Sequence, residues 1–388
     1  MKKILSLLLV LVLVLSLVAC NQEPAKEADT DQGNGGTEEG GDSGDYKIGI
    51  VTGTVSQGEE EFRAGERMVE EYGDMIKHIT YPDKFDQEVE TTIAQVDSLA
   101  SDPDVKAIVF VQAVTGAAAA IDKVRESRPD MLFVLGVPHE DPDVAADRAD
   151  IILELDQLQR GEAIMETAQE MGAKTFVHYS FPRHMSMELL SQRKDKLKET
   201  ADKLDIEFVE VDSPDPTAEG GVPATQQFII EDVPRQIEKY GKDTAFFGTN
   251  CGMMEPLIQQ VLEGGGIFPE QCCPSPYHAY PGALGIEIPE DKTGDLDYLS
   301  EQIKEKIAEK DGTGRFGTWN RPANVAIIEA GVEYAKAVLD GEIEKFDKDA
   351  MLEFMKDVTD DKEDEVQLIE IDDDMPNFLL FVLGSEIF

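Results

Sequence analysis

Residues 46–68 read YKIGIVTGTVSQGEEEFRAGERM and give the first indication of the fold of this chain. The stretch begins with KIGIV, a short apolar run of the kind that forms a strand buried on both faces of a parallel sheet. Small and hydroxyl-bearing residues follow up to Gly58, and Phe62, Met68 and Val69 then stand at helical spacing. The pattern therefore predicts a strand, a loop and a helix in that order.

The loop of this unit is the first candidate for contact with a ligand. In open α/β sheets, ligands bind outside the carboxyl ends of the strands, where loops and helix N-termini present backbone N–H groups. Thr54, Ser56 and Gln57 lie in this loop and carry side chains that can donate or accept hydrogen bonds. We therefore expect these three residues to contact a ligand.

Length and composition indicate a globular protein with more than one lobe. The 388 residues are 41% hydrophobic, which is enough for two lobes at about 100–200 residues per domain. The formal net charge of −45 would repel the phosphates of a nucleic acid, which proteins bind by neutralising them with Lys and Arg. Nucleic acid is therefore not expected as a partner, and a solvated acidic surface is favoured over a specific cation-binding role.

The N-terminus has the layout of a secretory signal. Lys2 and Lys3 precede an apolar run at residues 4–18, which is too short for a membrane-spanning helix. The run ends in Leu-Val-Ala-Cys at residues 17–20, which resembles the lipobox of bacterial lipoproteins. The resemblance implies that residues 1–19 are a lipoprotein signal peptide that is removed.

The same resemblance implies a lipid anchor on Cys20, in which fatty-acyl chains such as palmitate hold the protein to the membrane. Two acyl chains provide the pair of signals that stable attachment needs. Residues 20–45 are rich in Gly, Glu and Asp and have almost no apolar side chain, which predicts a disordered acidic tether. The expected location is extracytoplasmic, on a lipid anchor at the bacterial cell membrane.

From residue 46 onward, strand and helix patterns alternate, stop and start again. Residues 46–155 carry five strand patterns separated by helices, which predicts an N-terminal lobe with a doubly wound sheet. The alternation is repeated over residues 156–318, the predicted C-terminal lobe. A helical segment at 320–345 is expected to return to the first lobe, and residues 346–388 to complete the lobes. The fold class is thus α/β, with two doubly wound parallel-sheet lobes, a hinge and a cleft between them.

The order of these elements, with three local phrases, resembles the type I periplasmic-binding proteins, the fold of many solute receptors of ABC transporters. The phrases are KIGIVTGTVSQGEEEF at 47–62, AFFGTN at 245–250 and FGTWNRPANVAIIEAGVEYAKAVLDGE at 316–342. The lipid anchor and the C-terminal extension also resemble the basic-membrane-protein group of nucleoside receptors. That group has an aspartate-rich loop where this chain has Gly53-Thr54-Val55-Ser56, which argues against a nucleoside ligand.

The resemblance, together with the opening loop, nominates a set of ligand contacts at the ends of strands in both lobes. They form a plausible pocket, with aromatic walls and a few donors and acceptors. The set comprises Thr54, Ser56, Gln57, Gln112, His139, Glu140, Tyr179, Phe181, Arg183, Asn250, Tyr277, His278 and Trp319.

Other motifs point away from catalysis and cofactors. Glu59-Glu60 stand where a phosphate-binding loop needs Lys-Ser/Thr, and no dinucleotide fingerprint or nucleophile–base arrangement is present in the sequence. No metal is expected at the histidines. For Cys251, Cys272 and Cys273, free structural thiols or one disulfide are favoured over a soft-metal site with His278.

The leading interpretation is a solute-binding lipoprotein, not an enzyme, that captures a small polar molecule for an ABC permease and needs no cofactor. Closure of two lobes on one ligand requires contacts from both lobes. The alternative is a ligand-sensing surface lipoprotein that signals through a membrane sensor or chemoreceptor. The signal peptide and the lack of DNA-binding helices argue against a transcription regulator of the same fold.

Overall fold

The opening strand predicted from the sequence lies inside a parallel sheet. A computed structural model describes residues 46–289, 292–361 and 365–388, so that the signal peptide, Cys20 and the tether lie outside the described residues. The absence of a side chain at Gly49, in the middle of the strand, leaves room for the side chain of Leu99. A Cβ atom there would lie 2.5 Å from Cδ2 of Leu99, which covers this face of the sheet.

The described strands follow the predicted alternation along the chain. They are β1 Lys47–Thr52, β2 Ile76–Thr80, β3 Val105–Val111, β4 Leu132–Gly136, β5 Ile151–Leu155, β6 Thr175–Ser180, β7 Glu207–Asp212, β8 Thr244–Gly248, β9 Gly317–Trp319, β10 Ile369–Glu370, β11 Phe378–Phe381 and β12 Ser385–Ile387.

The described helices lie between these strands. They are α1 Val55–Tyr72, α2 Val89–Ala100, α3 Ala117–Arg125, α4 Pro142–Ala146, α5 Gln157–Glu170, α6 Pro182–Ser186, α7 Glu188–Lys203, α8 Gly221–Tyr240, α9 Met254–Gly264, α10 Tyr280–Leu284, α11 Leu296–Ala308, α12 Ala323–Leu339 and α13 Lys348–Thr359. Helices α6 and α7 are separated at Met187, which has extended backbone angles.

The first lobe is built on a sheet with the strand order β10-β11-β5-β4-β3-β1-β2. All neighbours in it are parallel except β10 and β11. Alternate residues of each strand point to opposite faces. One face packs on α1, α12 and α13, and the other packs on α2, α3 and α4. The sheet is therefore doubly wound, as predicted.

The second lobe has the parallel sheet β7-β6-β8, also covered on both faces. Side chains of α8, α9 and α11 cover one face and those of α5 and α7 cover the other. Two isolated β-bridges lie beside this sheet, in which Ile267 pairs with Ala245 of β8 and Phe268 pairs with Phe316. Phe316 directly precedes β9, which pairs with β12 in antiparallel orientation. The α/β class with parallel-sheet lobes is confirmed.

The chain passes between the lobes after β5, after β9 and again between β11 and β12. Strands β11 and β12 therefore belong to different sheets, because β11 pairs with β5 and β12 pairs with β9. The domain boundaries given above stay a prediction. The carboxyl ends of β3, β4 and β5 lie opposite those of β6 and β8. The candidate site lies between these two sets of strand ends.

Candidate functional site

A cavity of about 60 Å³ lies between the two lobes, at the ends of their strands. We call it the cleft cavity. Two residues at its first-lobe wall, Gln112 and Val137, have φ angles of +51° and +47°. Positive φ is rare for residues other than glycine, above all for β-branched ones, and such conformations cluster at ligand sites. The polar lining residues are Gln112, His139, Glu140 and Glu154 from the first lobe and Gln157, His184, Glu188, Arg193 and Thr249 from the second.

Arg193 is the positive charge of the cleft cavity. The residue is 1% exposed, and its Nη1 donates to Oε1 of Gln157 at 2.7 Å. Its Nε and Nη2 are buried and have no hydrogen-bond partner among the described residues. Burial, and next the charge of Arg160, lower the pKa of Arg193 to about 9. A buried guanidinium with two unpaired donor nitrogens is an incomplete anion-binding arrangement.

Arg160, a neighbour of Arg193, is fully paired by contrast. Its Nε and Nη2 donate to Oε1 of Glu270 at 3.0 and 2.7 Å. Its Nη1 shares the Gln157 oxygen at 3.2 Å, and both partners of the ion pair are buried. Among the described residues, Arg193 forms no ion pair of its own, although Glu270 and the cysteines act on it electrostatically.

The carboxylates that line the cleft cavity do not pair with Arg193. Glu154 accepts from the backbone N–H of Leu155 at 2.9 Å and from Gln157 at 2.8 Å, and burial raises its pKa to about 7. Glu140 accepts from two backbone N–H groups at the start of α3 at 3.0 and 2.8 Å. Glu188 is exposed at the rim.

Two neutral imidazoles also line the cleft cavity. Burial, and next the charge of Arg183, lower the pKa of His139 to about 3, and Nδ1 of His139 has no partner among the described residues. Burial likewise lowers the pKa of His184 well below its usual value, and Nδ1 of His184 lies 3.0 Å from Oγ1 of Thr249. Both rings can therefore accept as well as donate hydrogen bonds to a solute.

Arg183 lies at one edge of the cleft, and its side chain does not line the cleft cavity. Its guanidinium is bidentate to Asp215, with bonds of 2.9 and 3.1 Å. It also lies over the rings of Phe85 in the first lobe and Phe181 in the second, at 5.3 and 5.1 Å. Arg183 therefore links the lobes, and its ionic partner is already supplied by the chain.

A second cavity of about 90 Å³, which we call the outer cavity, lies between α1 and the segment before α10. Ser56, Gln57, Tyr277 and His278 line it, together with the buried Glu60. Burial, and next the charge of Glu61, raise the pKa of Glu60 well above its usual value. Two neighbouring buried carboxyl groups do not ionise together easily, which leaves Glu60 able to donate a hydrogen bond.

The described cysteines lie between these two cavities. Cys272 and Cys273 line the cleft cavity, whereas Cys251 and His278 line the outer one. All three cysteines are free thiols. The hydrogen bonds from Cys251 and Cys272 lower the pKa of Cys273 well below its usual value, so that Cys273 carries the thiolate character of the group.

The structure brings some of the predicted contacts together and separates others. Gln112, His139 and Glu140 line the cleft cavity, and Ser56, Gln57, Tyr277 and His278 line the outer cavity. Gln112 connects the two, since its Nε2 donates to Glu61 at 2.8 Å and lies 3.4 Å from Sγ of Cys251.

The other predicted contacts line neither cavity. Thr54 caps α1 and bonds to Asp83, and Asn250 accepts from the N–H of Gly252 at 2.9 Å. Arg183 is paired with Asp215, and buried aromatic contacts hold Tyr179, Phe181 and Trp319. As ligand contacts, all thirteen nominated residues stay predictions.

Sequence reasoning missed Arg193, Glu154, Gln157 and His184. Arg193 stands in the polar run SQRKDK, and its charge suggests a solvated position. A signal was nevertheless present, because Leu189 and Leu197 lie four residues before and after it and so share its face of the helix.

The chain belongs to the family of proteins of unknown function DUF3798, whose model matches residues 46–317. Two uncharacterized proteins of Treponema pallidum (strain Nichols) are similar. One is 35% identical over 210 residues, which are 54% of this chain and 94% of that protein. The other is 36% identical over 179 residues, which are 44% of this chain and 81% of that protein.

Solved structures of the same fold come from several bacteria. A protein of Clostridium difficile 630, proposed to be a transcriptional regulator, has a TM-score of 0.69 and 26% identity, over 88% of this chain and 99% of that one. A periplasmic solute-binding protein of an ABC transporter from Actinobacillus succinogenes 130z, with bound D-allose, has a TM-score of 0.52 and 12% identity over 76% and 92%.

A substrate-binding protein of a sugar ABC transport system from Bordetella parapertussis 12822 has a TM-score of 0.55 and 9% identity, over 88% of each chain. At such low identities the two transport proteins show the fold alone. The similarity to a periplasmic-binding-protein fold is thereby confirmed. In the part of the chain that the structure describes, no helix has both the length and the apolar character needed to cross a membrane.

Proposed function

We propose that this protein binds a small polar solute that carries a carboxylate, and that it holds the carboxylate on Arg193 between its two lobes. The observation that carries the proposal is the pair of unpaired buried donor nitrogens, Nε and Nη2, on Arg193 at the wall of the cleft cavity. A bidentate carboxylate matches the fork of a guanidinium in geometry and charge. It would also satisfy both donors at once.

The cavity volume indicates how the solute would enter. About 60 Å³ accommodates a few water molecules but not a solute of several heavy atoms. Entry therefore requires the lobes to separate and to close again on the ligand. Closure is favoured when residues of both lobes contact one molecule, as His139 and Arg193 would.

The biological role that we propose for this binding is capture of the solute outside the cytoplasm for an ABC importer. The structural similarity to solute-binding proteins of ABC transporters, one of them with bound D-allose, supports this role. We also propose that a lipid anchor on Cys20 holds the protein at the cell membrane. The alternative role is signalling through a membrane sensor, and neighbouring permease and ATPase genes would favour transport over it.

A thermal-shift screen of the full chain tests the binding site. Small carboxylates are compared with their matched neutral amides, and we expect only the carboxylates to stabilise the protein, because a ligand at 100 times its Kd adds about 2.7 kcal/mol. Arg193→Met should weaken binding about 10–150-fold, the equivalent of a charged hydrogen bond of about 1.5–3 kcal/mol.

Lys194→Met is the matched control, since it removes the same charge one residue along α7, where Lys194 pairs with Glu210 at 3.6 Å. It should leave the affinity unchanged. Equal stabilisation by amides and carboxylates, or equal affinity of the Arg193→Met variant and the wild type, would refute the assignment.

A further inference from the structure

Three thiols and one imidazole converge between the cleft cavity and the outer cavity. Cys251 lies in the turn after β8, Cys272 and Cys273 lie in the loop before α10, and His278 follows in the same loop. One donor atom from each of the four residues lies within 4.8 Å of the others. The spacing along the sequence forms no known metal motif, so that only the fold assembles this group.

The separations between sulfur atoms fit a tetrahedral metal site. Sγ of Cys251 lies 3.4 Å from Sγ of Cys272 and 3.6 Å from Sγ of Cys273. Around a tetrahedral zinc ion with Zn–S bonds of about 2.3 Å, two sulfur atoms lie about 3.8 Å apart. Shifts of a few tenths of an ångström would therefore suffice to seat an ion among these thiols.

The imidazole of His278 is oriented as in many metal sites. Its Nδ1 lies 2.6 Å from the backbone carbonyl oxygen of Cys273. A proton on Nδ1 that donates to this carbonyl leaves the lone pair on Nε2, the other ring nitrogen. A hydrogen bond of this kind from one ring nitrogen fixes the tautomer and the orientation of a histidine that ligates metal through the other.

The loop that carries three of the four donors is held in place by buried hydrogen bonds. Nη2 of Arg160 donates to the carbonyl oxygens of Gln271 and Cys272, both at 3.1 Å. Nε2 of Gln271 donates to the carbonyl oxygens of Ser275 at 2.9 Å and His278 at 3.2 Å. The donor atoms therefore need little reorganisation to bind an ion, which favours affinity.

The surroundings of the thiols suit a thiolate cluster with a net negative charge. Nε2 of Gln112 lies 3.4 Å from Sγ of Cys251 and 3.8 Å from Sγ of Cys273, so that it can donate to sulfur from the first lobe. Cys272 and Cys273 are 6% and 8% exposed, which limits competition from water. The guanidinium groups of Arg160 and Arg193 are close enough to act on the cysteines electrostatically.

We propose that Cys251, Cys272, Cys273 and His278 form a binding site for a soft metal ion, and that Zn²⁺ is the ion that this S₃N donor set fits best. The sequence alone favoured free thiols or one disulfide at these cysteines. Bound metal would fix the Cys272-Cys273 wall of the cleft cavity. The proposal is independent of the carboxylate site, because it depends on different donor atoms.

Metal binding is measured on the reduced full chain, in the wild type and in its Cys20→Ser version, which removes the one cysteine outside the cluster. Zn²⁺ is titrated against a competing chelator, and the bound metal is counted by elemental analysis. We expect one Zn²⁺ per chain. With Co²⁺ as the probe, we expect the intense thiolate-to-cobalt absorption of a site with several sulfur ligands.

Single variants separate ligands from neighbours. Cys273→Ser should abolish stoichiometric binding, and His278→Ala should weaken it more than tenfold. Tyr277→Phe is the matched control, since it alters the residue beside His278 without removing a donor of the cluster, and it should bind as the wild type does. Circular dichroism of each variant distinguishes a lost ligand from a lost fold.

Several results would overturn the proposal. The first is a reduced wild-type chain that binds neither Zn²⁺ nor Co²⁺ stoichiometrically. The second is a folded Cys273→Ser variant that binds as tightly as the wild type. The third is a disulfide from Cys251 to Cys272 or Cys273 in the chain isolated from its own membrane without reductant. None of these results bears on solute binding, which the carboxylate screen measures separately.

Discussion

Replacing Arg193 with methionine should change the stability of the ligand-free protein far less than the same replacement at Arg160. Both side chains are 1% exposed, but they differ in pairing. Arg160 has a buried ion pair with Glu270 and further bonds to carbonyl oxygens, whereas Arg193 makes one hydrogen bond and leaves two donor nitrogens unpaired. The comparison isolates the effect of pairing, because burial and side-chain type are the same.

The magnitude follows from the contacts of Arg193. Its two unpaired donor nitrogens are destabilising by about 1–3 kcal/mol each, and methionine removes this penalty while it keeps much of the buried stem. The variant loses one charged hydrogen bond of about 1.5–3 kcal/mol and a contact over the ring of Phe247 at 5.0 Å, which contributes up to about 2 kcal/mol. The opposing terms nearly cancel, so that we expect a net change within about 2 kcal/mol of zero.

Arg160→Met should instead destabilise the protein by about 3–5 kcal/mol, because it leaves the carboxylate of Glu270 buried without its partner. The assay is urea unfolding of the full chain, followed by circular dichroism and by the fluorescence of Trp319, the single tryptophan of the sequence. Circular dichroism is needed because Arg160 lies over the Trp319 ring at 5.6 Å and its loss will alter the emission directly. Equal destabilisation by the two variants would refute the view that Arg193 lacks a partner in the ligand-free protein.

Two further predictions concern Glu154 and Cys20. The pKa of Glu154 is about 7 in the folded protein against an ordinary 4.5, so the folded state holds the proton longer than the unfolded state, and stability should fall as pH rises through this window. Glu154→Gln keeps the acceptor oxygen and should remove about 3 kcal/mol of this loss in the free energy of unfolding. The measurement is urea unfolding at about pH 5 and about pH 8. An unchanged pH dependence would contradict the assignment. Cys20→Ala should release the protein from the membrane fraction or leave it unprocessed, and a normally processed, membrane-bound variant detected by fractionation and immunoblotting would rule out the anchor.

The fold class and the order of elements could be predicted from local patterns in the sequence. Apolar runs such as KIGIV and AFFG are local signals, because a strand buried on both faces needs nearly every side chain to be apolar. The loop TGTVSQG at residues 52–58 marked the end of the first strand, and part of it lines the outer cavity. Gln112 and His139 were nominated by position alone, and the structure places both at the cleft cavity.

Which polar side chains are buried and paired could not be predicted in this way, because it depends on tertiary contacts. Arg183 and Arg193 are alike as residue types, but Asp215 satisfies the first and no described carboxylate satisfies the second. Likewise, the thiols of Cys251 and Cys273 are 3.6 Å apart although 22 positions separate them in the sequence. Pairing and proximity of this kind depend on where distant segments meet, and local periodicity carries no information about that distance.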